Sequence, residues 1–460
     1  MRILLINPPW VVQRRKNLWR NVASVMPSLG IAWIAAVLAE DGHQVRILDA
    51  HALHMHLEDV SKWVAEYGPF DIVGITATTP LIENALTLAQ SLKRVCPSLK
   101  IVLGGVHPTV LPAEALAESA VDIVVRGEGE VTMREIAAEK PLDQIEGISY
   151  RCNGAVVHNL ERKLIANLDS LPFPAYHLLP MSKYRPAAGA AKRLPAISVL
   201  ATRGCPGKCT FCYRIFSNRL RCRTGGHIAA EVKLLQDKYG IREICFYDDT
   251  FTAVRREIRA FCQAILDMRL DLTWSCFSRT DTFDYETFRM MKESGCHQVM
   301  YGVETYSPEI LRNINKKVDH KAVAHVIRAT QELGIEVRAA FMLGNPGETE
   351  ETLKKNIQYA IDLDPDLAIF NITTPYPGTE MFRWAEENQY LRTRNWDDYD
   401  LSMPVMELPT VSAETVFRYY QESHRRFYMR PRFIWKRFNK IRSIQDLSSI
   451  FRGLRTSLSV

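Results

Sequence analysis

The sequence predicts an α/β protein built in two successive parts. A doubly wound parallel sheet comes first, then a partial (β/α)6 TIM barrel, then a helical C-terminal tail. Three observations predict it. Between residues 1 and 140, short apolar runs alternate with helical patterns five times. From Ile197 the alternation resumes for six more units. Directly after the first strand of that second series stands a cysteine triplet, Cys205-Pro-Gly-Lys-Cys209-Thr-Phe-Cys212. Alternation of this kind implies parallel strands covered on both faces. Ligands of such sheets bind beyond the carboxyl ends of the strands.

In the first part (residues 1–140), strands are expected at Ile3–Ile6, Val45–Leu48, Ile72–Ile75, Ile101–Leu103 and Ile123–Val125. Their carboxyl ends carry Asn7-Pro8-Pro9, Gly74-Ile75-Thr76, Gly104-Gly105-Val106-His107 and Arg126-Gly127-Glu128. Paired glycines let a backbone approach a bulky ligand closely. A dinucleotide fold is the first rival, but Asn-Pro-Pro-Trp follows strand one where G-x-G-x-x-G would stand. Residues 141–195 read as a linker with a hairpin around Asn153-Gly154, a Pro-rich stretch Leu171–Pro180 and a mobile strap Lys183–Lys192 over the site.

The second part (196–400) has strands expected at Ile197–Ala201, Glu243–Tyr247, Leu272–Phe277, Gln298–Val303, Val337–Leu343 and Leu367–Thr373. Six units cannot close an eight-stranded barrel, so an open half-barrel with its site at the strand carboxyl ends is expected. Those ends carry Tyr247-Asp248-Asp249, Ser278-Arg279, Glu304 and Gly344-Asn-Pro-Gly-Glu348. Each has a plain reading as a cap, a turn or an Arg279–Glu304 ion pair, yet all fall at one face.

The 460 residues are 47% hydrophobic and 24% charged, which suits two to three soluble globular domains. Ten mostly isolated cysteines suit a reducing compartment, hence a cytoplasmic location. The apolar run at the N-terminus is too short for a signal peptide, and no run of about 18 apolar residues exists to span a membrane. The net charge of +6 belongs to the tail (401–460): from Ala413 on, 11 Lys/Arg face three Asp/Glu. Aromatics interleave with these cations. Packed helices with solvated basic faces, peripheral contact with an anionic membrane, and nucleic-acid binding compete as readings; the last lacks any groove-fitting motif.

A C-x3-C-x2-C triplet can hold three irons of a [4Fe–4S] cube and leave the fourth open to a small molecule. Structural zinc usually wants two cysteine pairs, and the other cysteines are scattered singly. With Phe211 before the third cysteine, and with Arg203-Gly204-Cys205-Pro206 around it, the chain resembles the radical S-adenosylmethionine (SAM) superfamily, in the subgroup carrying a cobalamin-binding domain in front. The resemblance implies a Rossmann-like cobalamin domain with Pro8, Gly30, Thr76, Gly104, Gly105, His107, Gly127 and Glu128 around the corrin. No D-x-H-x-x-G motif supplies a cobalt-ligating histidine, so His107 would flank the corrin, or else cap a loop. It implies Cys205, Cys209 and Cys212 on the cluster, and SAM among Phe211, Tyr213, Tyr247, Asp248, Asp249, Arg279, Glu304 and Gly344. Which aspartate meets the methionine amine stays open.

The implied activity is methylation of an unactivated carbon, using a 5′-deoxyadenosyl radical and a methyl group carried on cobalamin. Radical cyclisation of the tetrapyrrole or lipid kind, and a non-catalytic cofactor-binding sensor, are the alternatives. The implied partners are a small, apolar-leaning substrate and an electron donor such as a reductase, flavodoxin or ferredoxin, with no nucleic acid. Methylthio transfer would need a second cluster's cysteines in the first domain, which has only Cys96.

Overall fold

The apolar runs pair as parallel strands. In the computed structural model, which describes residues 1–10, 24–187 and 189–438, β1 (Arg2–Asn7), β2 (Gln44–Asp49), β3 (Ile72–Thr76), β4 (Lys100–Gly104) and β5 (Ile123–Val125) form one sheet in the order 2-1-3-4-5. Ile3, Leu4, Leu5 and Ile6 are all buried, on both faces of β1, as a helix-covered parallel sheet requires. The winding reverses between β1 and β3, which opens a crevice at their carboxyl ends. The sheet does not stop where the linker was expected to begin. β6 (Ile148–Cys152) pairs antiparallel with β5, and β7 (Ala155–His158) with β6. Buried Ile148 and Tyr150 cover the edge that β5 would otherwise leave open.

The second sheet begins with β8 (Ala196–Val199). The chain then turns away: β9 (Thr202–Arg203) pairs antiparallel with β10 (Arg221–Cys222), a short ribbon below the cysteine loop. β11 (Glu243–Phe246), β12 (Thr273–Ser278), β13 (Cys296–Glu304), β14 (Glu336–Leu343) and β15 (Leu367–Ile372) follow in sequential order, all parallel. This is the expected open half-barrel. One row of side chains faces the helices; there Phe246, Phe251, Phe261 and Trp274 pack with ring centroids 4.3–6.3 Å apart. Burying each contributes roughly 1.5–3 kcal/mol. The alternate row faces the lumen.

The strap expected to be mobile is anchored on both sides of residue 188. Tyr184 donates to Asp49 (2.8 Å), Arg185 bridges to Val25, and Lys192 N donates to Glu243 (2.9 Å). The helix Ala413–Tyr428 covers the free edge of β15, and the Tyr428 hydroxyl donates to the Ala368 carbonyl. Beyond it, Arg430 and Arg432 face Asp364, and Lys436 lies 3.3 Å from Asp366. Up to Lys436, then, these tail cations answer carboxylates of the protein. The expectation for residues 439–460 lies outside the described residues. No helix among the described residues is long and apolar enough to cross a membrane.

Candidate active site

Gly204 opens the cysteine loop at φ +94°, with its Cα against the Arg219 carbonyl, a place where any Cβ would collide. Inside the loop, Cys205 N donates to Ser217 O (3.4 Å) and Cys212 N to Cys209 O (3.3 Å). Thr210 is strung between two neighbours: its N donates to Ile314 O (3.0 Å) and its carbonyl accepts from Met381 N (2.9 Å). All ten cysteines are free thiols. Among the described residues no three His, Cys, Asp or Glu side chains converge on one ion-sized point. A cube needs no such convergence, because each thiolate takes its own iron. Burial pushes the Cys212 thiol up to about 12, with Asp249 adding to the rise, and raises Cys209 as well. Bound iron is what would deprotonate such thiols. A cavity of about 370 Å³ opens beside Cys209 and Cys212, lined also by Tyr213, Arg214 and Arg383.

The loop is clamped to the first domain through its neck. Arg203 donates to Glu128 (2.8 Å) and Glu130 (2.6 Å), and Arg221 donates to both Glu128 oxygens (2.9 and 2.8 Å). Two cations meet two anions, all buried. Arg203 also lies over Trp33 (4.9 Å) and Phe216 (5.3 Å). Burial pushes the Glu128 carboxyl up, but the two arginines more than offset this and hold it below its ordinary value. Elsewhere, Val110 of the first domain and Tyr213 both pack at Gly378, and Ser24 lies 3.3 Å from the Tyr247 hydroxyl. The carboxyl ends of the two sheets therefore face one another across a single mouth.

Several expected contacts are corrected by this geometry. Glu128 bonds arginines and Ile165 N, so its carboxylate is not available to a corrin. His107 is fully buried against Thr79, Glu114 and Trp396, joining the first domain to the segment around Trp396. A Cβ on Gly105 would meet Ala77 O at 2.6 Å, so this glycine serves the approach of two protein strands. Gly30 and Gly127 are exposed with open space above them, and Thr76 and Gly104 end β3 and β4 beside Pro8 at the crevice.

On the barrel side, Asp248 is buried and accepts from Ala201 N (2.9 Å), Thr202 N and the Thr202 hydroxyl (2.7 Å). Burial raises its pKa to about 7. It holds the strand end in place, while Asp249 is exposed toward the cysteines. Arg279 reaches Gly207 of the cysteine loop and is chelated by Asp281 (2.9 and 2.6 Å). Glu304, at φ +68° after a bulge in β13, pairs with Lys316 and not with Arg279. The Gly344 amide donates to Glu348 (3.2 Å), so it does not face a ligand. Tyr247 stacks on Phe277 (5.2 Å), and Phe211 packs in a cluster with Ile310 and Met381. The sequence reading missed Lys316, Thr250 (3.5 Å from Cys205 Sγ) and the Arg203–Arg221 clamp. Arg203 flanking the first cysteine was the only signal for the clamp.

Fold and site together define a protein with two cofactor domains facing one mouth. Residues 16–137 match the B12 binding domain family and residues 199–360 the radical SAM superfamily. An uncharacterized methyltransferase of Pyrococcus horikoshii is 36% identical over 443 residues, covering 95% of this chain and 94% of that one. An anaerobic magnesium-protoporphyrin IX monomethyl ester cyclase of Rubrivivax gelatinosus is 28% identical, covering 96% of this chain and 80% of that one. The solved structure of the cobalamin-dependent SAM radical enzyme OxsB, with aqua-cobalamin and SAM bound, shares the fold at a TM-score of 0.77 and 15% identity, covering 99% of this chain and 72% of that one. The chain belongs to the radical SAM superfamily, in the branch that carries a B12-binding domain. Its cofactors are a [4Fe–4S] cluster, SAM and cobalamin.

Proposed function

We propose that the protein is a methyltransferase acting on an unactivated carbon of a small molecule. The observation that carries this reading is the facing of the two carboxyl-end surfaces, with the cysteine loop clamped between them by Arg203 and Arg221. Cys205, Cys209 and Cys212 would hold three irons of the cube. Asp249 would accept from the methionine ammonium, and the Glu304–Lys316 pair would meet the ribose and carboxylate side. Arg279 would add its charge beside the cluster, with Phe211 and Tyr213 near the adenine. Thr76, Gly104, Gly30 and Gly127 would floor the corrin. When bound, the cluster and SAM supply hydrogen abstraction from carbon, and cobalamin supplies a transferable methyl group. The protein's own part is to hold substrate between them and to exclude water. Lys208 and Arg214, both exposed on the cysteine loop, suit the docking of an acidic one-electron carrier. A cytoplasmic location fits the ten free thiols.

The methyltransferase relative supports methyl transfer, and the cyclase relative supports ring closure as the second reading. Turnover with SAM labelled in its methyl group separates them. Methyl transfer predicts label in the product together with 5′-deoxyadenosine. Unlabelled product with 5′-deoxyadenosine would mean cyclisation, and no 5′-deoxyadenosine at all would remove the enzyme reading.

A further inference from the structure

Among the described residues, the lumen of the half-barrel holds a cation outside the residues assigned to the cofactors above. Arg338 stands on β14 between Val337 and Ala339, both of which pack under the helices. Alternation along the strand therefore turns Arg338 to the lumen. The register sets its height: Met300 of β13 pairs with Arg338, and Phe277 of β12 with Met300. Tyr247, stacked on that same Phe277, is the residue that leads into Asp248-Asp249 at the rim. Arg338 thus lies at the level of Tyr247 and Phe277 by register, and on its own strand the lumen positions Ala340 and Met342 stand between it and the mouth.

The environment of this guanidinium is unusual in the chain. Arg203, Arg221 and Arg223 are also buried, and each is matched by a glutamate. Arg338 forms no ion pair among the described residues, and its Nε is buried without a hydrogen-bond partner. Among the described residues, the ionisable groups that act on it are Tyr247, Tyr428 and Cys245, while Glu336, two residues back on the same face, accepts from Gln298 Nε2 (3.3 Å). Yet the side chain keeps accessible surface, as a residue lining an internal space does. An uncompensated buried cation is costly to fold around. A guanidinium is also the group that best matches a carboxylate or phosphate, taking either bidentately.

We propose that Arg338 receives an anionic oxygen group of the substrate, a carboxylate or a phosphate, in the barrel lumen beneath the SAM site. This deepens the methyltransferase reading by naming the substrate class, and it rests on that reading for the lumen being the substrate site. Charge at this depth orients the substrate: its anionic end binds at Arg338, and the carbon to be modified points to the mouth.

The test uses the full chain, anaerobically reconstituted, as wild type, Arg338→Met and Arg338→Lys. Thermal stability is followed while orthophosphate, or separately acetate, is titrated at constant ionic strength. The proposal predicts saturable stabilisation of the wild type, a loss of apparent affinity of at least tenfold in Arg338→Met, and partial recovery in Arg338→Lys. A tenfold preference for orthophosphate assigns a phosphate-bearing substrate; equal or better response to acetate assigns a carboxylate. Without anion, Arg338→Met should melt no lower than wild type, because it removes an unpaired buried charge. Equal anion response in wild type and Arg338→Met, or a lower melting point of the anion-free variant, overturns the proposal. Iron and cobalamin content of the same preparations report separately on the cofactor reading.

Discussion

Asp248 and Asp249 are neighbours of one residue type with opposite fates. Successive residues at a strand end point to opposite sides. Asp248 goes inward, where three donors from Ala201 and Thr202 meet its carboxylate, and Asp249 goes outward to the cysteines. Asp248→Ala leaves those donors unmatched in the interior, at about 1–3 kcal/mol each. A melting point lowered by many degrees is expected. Asp249→Asn should instead leave the fold intact and weaken SAM binding in the reconstituted protein, read by equilibrium dialysis; unchanged binding would place the amine elsewhere. The same logic applies to Glu304 and Lys316, whose side chains are only 9% and 10% exposed. Lys316→Met strands a buried carboxylate, at roughly 3–5 kcal/mol, and SAM affinity should fall at least tenfold. The triplet and Glu304 were legible as candidates, because spacing and strand position point to them. Lys316 was not, since its partner lies 12 residues away across a turn and no local pattern links the two.

At the scale of elements, strands and helices were legible because alternation is a local property. What the elements do to one another was less so. The stretch Asn345–Glu348 after Gly344 had no role assigned from sequence; in the fold its Glu348 accepts from Gly344 N, Asn345 N and Thr352, locking the exit of β14. Burial raises the Glu348 pKa to about 7 from its ordinary 4.5. A raised carboxyl pKa means that the folded state prefers the proton. Its stabilising contribution is complete below pH about 4.5 and is lost as pH rises through about 7. In Glu348→Gln the amide nitrogen can face the Thr352 hydroxyl and the oxygen can still accept from the loop amides. Thermal melts of variant and wild type should therefore diverge in the variant's favour between pH 5 and 8, by roughly 2–3 kcal/mol at the upper end. A pH-independent difference would contradict this. The cysteine loop depends on a clamp contributed by another domain. Arg203→Ala leaves Glu128 and Glu130 buried with less counter-charge, at roughly 3–5 kcal/mol. Both iron and cobalamin retention should drop, measured on the purified variant. Sequence could not assign Glu128 to this clamp, because a Gly-Glu-Gly turn at a strand end fits a ligand equally well.

For the whole molecule, the decisive feature is the mouth shared by two parallel sheets. Each sheet alone offers its strand ends to a ligand. The contacts of Arg203 and Arg221 with Glu128, of His107 with Trp396, and of Val110 and Tyr213 at Gly378 hold those ends opposite each other. The order of the two parts was visible in the sequence; their mutual orientation was not, because it rests on pairs at least 73 residues apart, and as much as 282 apart for Trp396 and Glu114. The central claim is that one chain carries both cofactors, in domains that load separately but face each other. The most direct measurement is the iron and cobalamin content of the anaerobically reconstituted full chain, beside its Cys209→Ala variant. The account predicts about four irons and about one cobalamin per chain in the wild type, with iron lost and cobalamin kept in Cys209→Ala. A wild-type chain that takes up iron without cobalamin, or a Cys209→Ala chain that loses both, would contradict it.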